Sequence, residues 1–212
     1  AVSLLVTGFA NYDPVNVAKM VATAGIGFSI WALLLKNGIG KLWANQKPLT
    51  AALGIFMVWG IVSTFASDAP LEQNLYGVFG RNTGLITYLA FSILFVVAMA
   101  ASSVVFLNRF LAAALVVGVA SLGYGVVQAL GGDPFDWVNA YSPVFGFLGN
   151  PNFQSSLLGI LGSIVFTQLL SGSVKIQIKG AYLVYLLVTV YVIRETASHQ
   201  GFLVLLIGST VS

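Results

Sequence analysis

"GLITYLAFSILFVVAMAASSVVFL", Gly84 to Leu107, contains no charged residue, and its reading decides the fold. A helix needs about 20 apolar residues to cross the hydrocarbon core of a bilayer, and this run is long enough. The texture recurs along all 212 residues, of which 58% are hydrophobic and only 7% charged. Soluble domains carry about 25% charged residues, so water is not the main solvent of this chain. Strands with alternating polar faces are absent, so helices rather than a barrel must satisfy the backbone in lipid. The 23 glycines fit, because small residues let membrane helices approach closely. An all-α, polytopic transmembrane helix bundle follows.

Working outward, the expected spans are Val15–Leu35, Leu49–Phe65, Gly84–Leu107, Phe110–Leu130, Phe153–Leu170 and Ile176–Ile193. That makes about six full spans, with a seventh opening at Gly201 and a partial one at "AVSLLVTGFA". The connection at Asn108–Arg109 reads as barely a turn. The whole, residues 1–212, is expected to be a single transmembrane domain and, from its two truncated-looking ends, a fragment of a longer chain.

Charge sorts these connections by side. Lys36, Lys41, Lys47, Arg109, Lys175 and Lys179 fall in one set, with no acid among them. Asp13, Asp68, Glu72, Arg81, Asp133, Asp136, Arg194, Glu195 and His199 fall in the other. Lys19, inside the first span, is the exception. Basic loops stay in the cytoplasm, so the longer outer loops, rich in Trp, Tyr, Asn and Pro, are the expected working face.

Several chemistries are excluded. The net charge of +3 comes from scattered Lys and Arg with no basic stripe, so no nucleic-acid partner is expected. Zero cysteines remove disulfides and thiol catalysis, and one histidine cannot build a Cys/His metal cluster. "GGDPFDW" offers Asp133 and Asp136 as weak Mg²⁺ or Ca²⁺ ligands, but Asp before Pro after Gly-Gly is mainly turn chemistry.

Three outer stretches concentrate polar groups. In "YGVFGRNTGLITYLA" (Tyr76–Ala90), Arg81 sits among Gly77, Gly80 and Gly84. Its planar fork suits phosphate oxygens, and glycines leave room for a ligand or a helix; an interfacial anchor paired with Glu72 or Asp68 is the other reading. In "FGFLGNPNFQSSLLGIL" (Phe145–Leu161), Asn150 can cap a helix with Pro151 at its first position. Such a start offers N–H groups to an anion, helped by Asn152, Gln154 and Ser155; a plain capped membrane helix explains it equally. In "IRETASHQGFLVLL" (Ile193–Leu206), Arg194, Glu195, Thr196, Ser198, His199 and Gln200 crowd between apolar runs. Histidine is the side chain that ordinarily changes charge near neutrality, so His199 is either a candidate base or an ordinary interfacial residue.

The order and spacing of these stretches resemble the O-antigen ligase and polymerase family of membrane glycosyltransferases. Gly77, Arg81, Gly84, Leu85, Thr87 and Tyr88 match its G…R…GL(L/I)TY segment. Gly149, Asn150, Asn152 and Ser155 match G-N-x-N-x-x-A/S, and Thr196, Ser198 and Gly201 match T-x-S-R-x-G. "NYDPVNVAKM" is similar to the loop and Lys-bearing helix start near the family's N-terminus. Two departures stand out: His199 occupies the place of an arginine, and the family's large outer loop with its catalytic histidine would lie beyond Ser212.

The resemblance implies a multi-pass protein of the bacterial inner membrane, with functional loops on the periplasmic face. It would move a glycan from a polyprenyl diphosphate donor to a sugar or protein acceptor, with no cofactor, neither nucleotide sugar nor metal. It assigns diphosphate and glycan binding first to Arg81, then Arg194, with Asn150, Asn152 and His199 lining the pocket. The implied partners are the polyprenyl diphosphate-linked glycan, membrane lipid and other membrane subunits. The glycine faces "ATAGIG" and "GVASLGYG" read either as prenyl grooves or as helix-packing faces. A scaffold or accessory subunit that keeps the fold without activity is the rival. A transporter ranks last, since no internal repeat is visible and, apart from Lys19 and Lys179 near a span end, the spans are uncharged.

Overall fold

The computed structural model describes residues 16–37, 46–78, 83–100, 103–135 and 142–211. Residues 11–15, Lys41, Arg81 and Asp136 lie outside the described residues. The described chain is helical, with no strand: α1 (Asn16–Asn37), α2 (Lys47–Ala66), α3 (Leu71–Tyr76), α4 (Leu85–Ala100) and α5 (Val104–Ala129). A 3₁₀ turn (Gly146–Leu148) then precedes α6 (Pro151–Leu170), α7 (Ile176–Glu195) and α8 (Gln200–Val211). Among the described residues α2, α5, α6 and α7 are long and apolar enough to cross a membrane, while α4 and α8 are shorter apolar helices. These helices and the composition mark a membrane protein.

The turn expected at Asn108–Arg109 is not there; both residues lie inside α5. α5 instead begins earlier, at Val104. Ser103 sets that start, because its hydroxyl accepts from the Phe106 amide at 3.2 Å and caps the helix. Polarity marked the wrong place for the boundary. A helix tolerates exposed Asn and Arg, but needs a side-chain acceptor to begin.

The contacts divide into two compact units that meet in sequence at Arg109/Phe110. In the first, α4 is the centre, with α1, α2 and α3 packed on it. Gly27 lets α1 close on Ala90 and Ile93: a Cβ there would lie 3.2 Å from both. Asn74 of α3 donates to the carbonyls of Thr64 (3.1 Å) and Ala69 (3.2 Å), satisfying oxygens left free where α2 ends. Gly84 abuts the backbone of Leu75 and Gly77, with no room for a side chain. The chain itself, then, fills the space that glycine opens there.

In the second unit α6 is the centre. It packs most extensively on α8, and also on α7. Lipid tails are as apolar as leucine, so membrane helices associate through close packing and hydrogen bonds rather than hydrophobic burial. Here the contact is made by small residues at four-residue spacing on α6, Ser155, Gly159 and Ser163, against Gly201 and Gly208 of α8. A Cβ on Gly159 would lie 2.5 Å from the Gly201 carbonyl oxygen, and one on Gly208 2.6 Å from Ser163. The two helices run parallel, in register from Ser155/Gly201 to Ser163/Gly208.

Buried Leu122, Val144, Leu158, Val192 and Ile193 form the core of this unit. Gly118 of α5 admits Tyr185 and Leu161, and Gly125 admits Val192. Gly27, Gly118 and Gly125 are therefore packing positions, whereas Gly25 and Gly123 face open space.

Gly159→Leu should destabilise the protein by about 1–3 kcal/mol or more, since backbone blocks the new side chain. Gly180→Leu, on an open face of α7, should leave stability unchanged or raise it. Thermal unfolding in detergent compares the two.

Candidate functional site

The site forms at one end of the second unit, where α5 ends, α6 begins and α7 turns into α8. Asn150 caps α6: its side-chain oxygen accepts from the amides of Asn152 (2.9 Å) and Phe153 (3.4 Å). Pro151 takes the first helical position, where its missing N–H costs nothing, and the Gln154 amide bonds the Asn150 carbonyl at 2.9 Å. The first-turn N–H groups expected to hold an anion are thus already used by Asn150. A ligand at this helix start would meet side-chain amides instead, chiefly that of exposed Asn152.

The second and third stretches meet here. Ser155 Oγ and Ser198 Oγ lie 3.0 Å apart, in a buried contact between α6 and the α7–α8 turn. Ser156 reaches Gln200 Oε1 at 3.4 Å. Thr196, fully buried, donates to the Ile193 carbonyl at 2.6 Å and accepts from the Ser198 amide at 3.2 Å. Ala197 completes the reversal with φ of 54°, in the left-handed region that costs an L-residue about 1–2 kcal/mol. Ser198 in turn accepts from the Gln200 amide at 3.3 Å and starts α8. The T-x-S spacing is thereby the chemistry of a tight helix-to-helix turn.

Arg194 and His199 stand on either side of that turn, and both are exposed. Arg194 occupies the last turn of α7, where a cation also complements the helix dipole. Asn150 is half-buried by its capping role. Of the expected site residues, Arg194, Asn150, Asn152 and His199 come to this one end of the unit. Arg81 lies outside the described residues, together with the rest of 79–82.

Beneath these groups runs a buried polar network that the motifs did not reveal. Asp133 accepts from Tyr124 Oη (2.9 Å), Gln128 Nε2 (2.7 Å) and the Phe135 amide (3.0 Å). Gln128 Oε1 accepts from the amides of Phe145 (3.2 Å) and Gly146 (2.8 Å). One buried glutamine therefore joins the loop after α5 to the segment entering α6. Ser142 adds a bond to the Glu195 carbonyl at 3.4 Å, tying this segment to the end of α7. Phe147 stacks on Tyr124 with ring centroids 4.3 Å apart. Gln154 bonds Ser121 through both ends of its amide, at 3.1 and 3.2 Å. It fills the space that a side chain on Gly146, at φ 57°, would need.

The sequence signal for this network is Ser121, Tyr124 and Gln128 at i, i+3 and i+7, a polar stripe on an apolar helix. Asp133 has its oxygens engaged by protein donors, and its Phe135 contact is the turn chemistry expected of Asp-Pro. Among the described residues no three His, Cys, Asp or Glu side chains group as metal ligands. What the arrangement provides is a rigid floor, with one exposed cation, one imidazole and free amides above it.

Gln128→Leu removes partners from Asp133 and from two buried amides. It should cost roughly 1–3 kcal/mol for each group left unmatched. Denaturation in detergent, with limited proteolysis of the 131–148 segment, should show lower stability and faster cleavage in that segment.

Comparison with known proteins adds no relative: no known protein family, no curated protein and no solved structure matches the chain.

Proposed function

We propose that this chain belongs to a membrane glycosyltransferase of the O-antigen ligase and polymerase type. The reaction is transfer of a glycan from a polyprenyl diphosphate donor to an acceptor hydroxyl. In this reading the chain crosses the bacterial inner membrane about six times, and its acidic, aromatic-rich loops face the periplasm. The observation that carries the proposal is the Ser155–Ser198 contact, which joins two of the three family-like stretches across 43 residues of sequence. Arg194, Asn150, Asn152 and His199 surround the same helix ends.

The chemistry asks for three contributions from the protein. Cations must hold the diphosphate and stabilise the charge that develops on it as the glycosidic bond breaks. Arg81 and Arg194 are the candidates, because a guanidinium presents paired donors to phosphate oxygens. Neutral donors must orient the glycan, a role suited to the Asn150 and Asn152 amides. A base must take the acceptor proton; His199 is at most a polar liner, since the family's catalytic histidine belongs to a different loop.

In the native full-length protein, Arg81→Ala and Arg194→Ala should each lower transfer from a polyprenyl diphosphate-linked glycan by about 100-fold or more. Expression and membrane insertion should be unchanged. Radiolabelled glycan transfer in membrane vesicles is the measurement. Full activity in Arg81→Ala would remove the diphosphate assignment, and no transfer by the wild type would favour the accessory-subunit reading.

A further inference from the structure

Tyr185 and Thr189 stand one turn apart within α7, and each carries a hydroxyl that makes no hydrogen bond among the described residues. Thr189 is fully buried, and Tyr185 is half-buried with its oxygen covered. Tyr185 lies about 14 Å from the start of the helix and Thr189 about 9 Å from its end. At that depth an unmatched polar group is costly. Buried hydroxyls in native proteins are almost always matched, a tyrosine O–H among them.

The protein does not supply the match. A hydroxyl inside a helix ordinarily donates to the carbonyl four residues back, as Thr64, Ser92 and Thr167 do here. Thr189 does not make that bond. Its methyl is turned to α6, where a Cβ on Gly162 would lie 3.3 Å from it. The Thr189 and Tyr185 oxygens face one another without the alignment of a direct bond. Realigning them would match one proton only, because two hydroxyls carry two donors and one contact uses one. A third group that both donates and accepts is required.

Chemistry narrows that group. Both oxygens are covered, so lipid and larger solutes are shut out. A metal ion takes several oxygen ligands, carboxylates foremost, and two neutral hydroxyls are a poor set. Water donates and accepts, and buried waters join such groups at about three bonds each. Gly118 sets the α5 backbone against Tyr185 Oη, since a Cβ there would lie 2.7 Å away. Helix carbonyls keep a second lone pair, so that backbone offers a water its further acceptor.

We infer that Tyr185 and Thr189 hold one water molecule inside the α5–α6–α7 core, where it bridges their two hydroxyls.

The test uses the full-length protein, perdeuterated and labelled with carbon-13 at tyrosine Cζ, in liposomes of deuterated lipid. Solid-state NMR reads the transfer of magnetisation from water to each tyrosine. The Tyr185 signal is the one that Tyr185→Phe removes. Wild type should show transfer to Tyr185 in spite of its depth, and Thr189→Val, which keeps the shape and deletes one anchor, should lose most of it. No transfer in wild type would overturn the inference, and so would unchanged transfer in a folded Thr189→Val variant. Thermal unfolding gives an independent sign. A hydroxyl matched by water makes Tyr185→Phe lower the unfolding temperature by a few degrees; a rise would mean a bare hydroxyl and end the proposal.

Discussion

At Ser155 and Gly201 two membrane helices meet almost backbone to backbone, and the second unit is organised around that contact. A Cβ on Gly201 would lie 2.6 Å from the Ser155 carbonyl oxygen, so the approach requires glycine. Hydrocarbon gives no hydrophobic reward for burying leucine, and dispersion between closely packed surfaces supplies the attraction instead. Once α6 and α8 are in register, the turn joining α7 to α8 has little freedom. Thr196 and Ser198 satisfy its backbone, Ala197 takes a left-handed conformation, and the Ser155–Ser198 hydroxyl pair closes over it. Packing at the bilayer depth thus fixes polar geometry at the helix ends.

The same constraint explains the glutamines. A polar group in a low-dielectric interior is costly unless every donor and acceptor is matched. Gln128 and Gln154 are both almost fully buried, and both use each end of the amide. Gln128 bridges a carboxylate and two backbone amides, while Gln154 bonds one serine twice. They hold irregular backbone where regular helix bonds are absent, which is the condition for such backbone near a membrane.

Much of the helical framework was legible in the sequence, for a physical reason. Spans Leu49–Phe65, Phe153–Leu170 and Ile176–Ile193 lie within α2, α6 and α7 to within two residues at each end, because hydrocarbon demands long apolar runs. The Asn150-Pro151 start was legible too, since a cap acts through its own neighbours. The Ser103 start was not, because a serine inside an apolar run gives the same pattern whether or not it caps. The Gln128–Asp133 network was hidden as well, since its partners come from segments that only tertiary packing brings together. The anion-binding promise of the α6 start failed on a local detail: the capping side chain already occupies the amides that a ligand would use.

Gly146 and Gln154 occupy one volume between them, the glutamine amide lying where the glycine's missing side chain would be. Such a pair is a single unit of sequence variation. A larger residue at 146 is compatible with the fold only if 154 shrinks and Ser121 finds another partner. Smaller residues at 154 would open a polar-lined hollow beside a left-handed glycine. A side chain added at 146 therefore requires a change at 154 in the same molecule, whereas a loss at 154 leaves the glycine untouched.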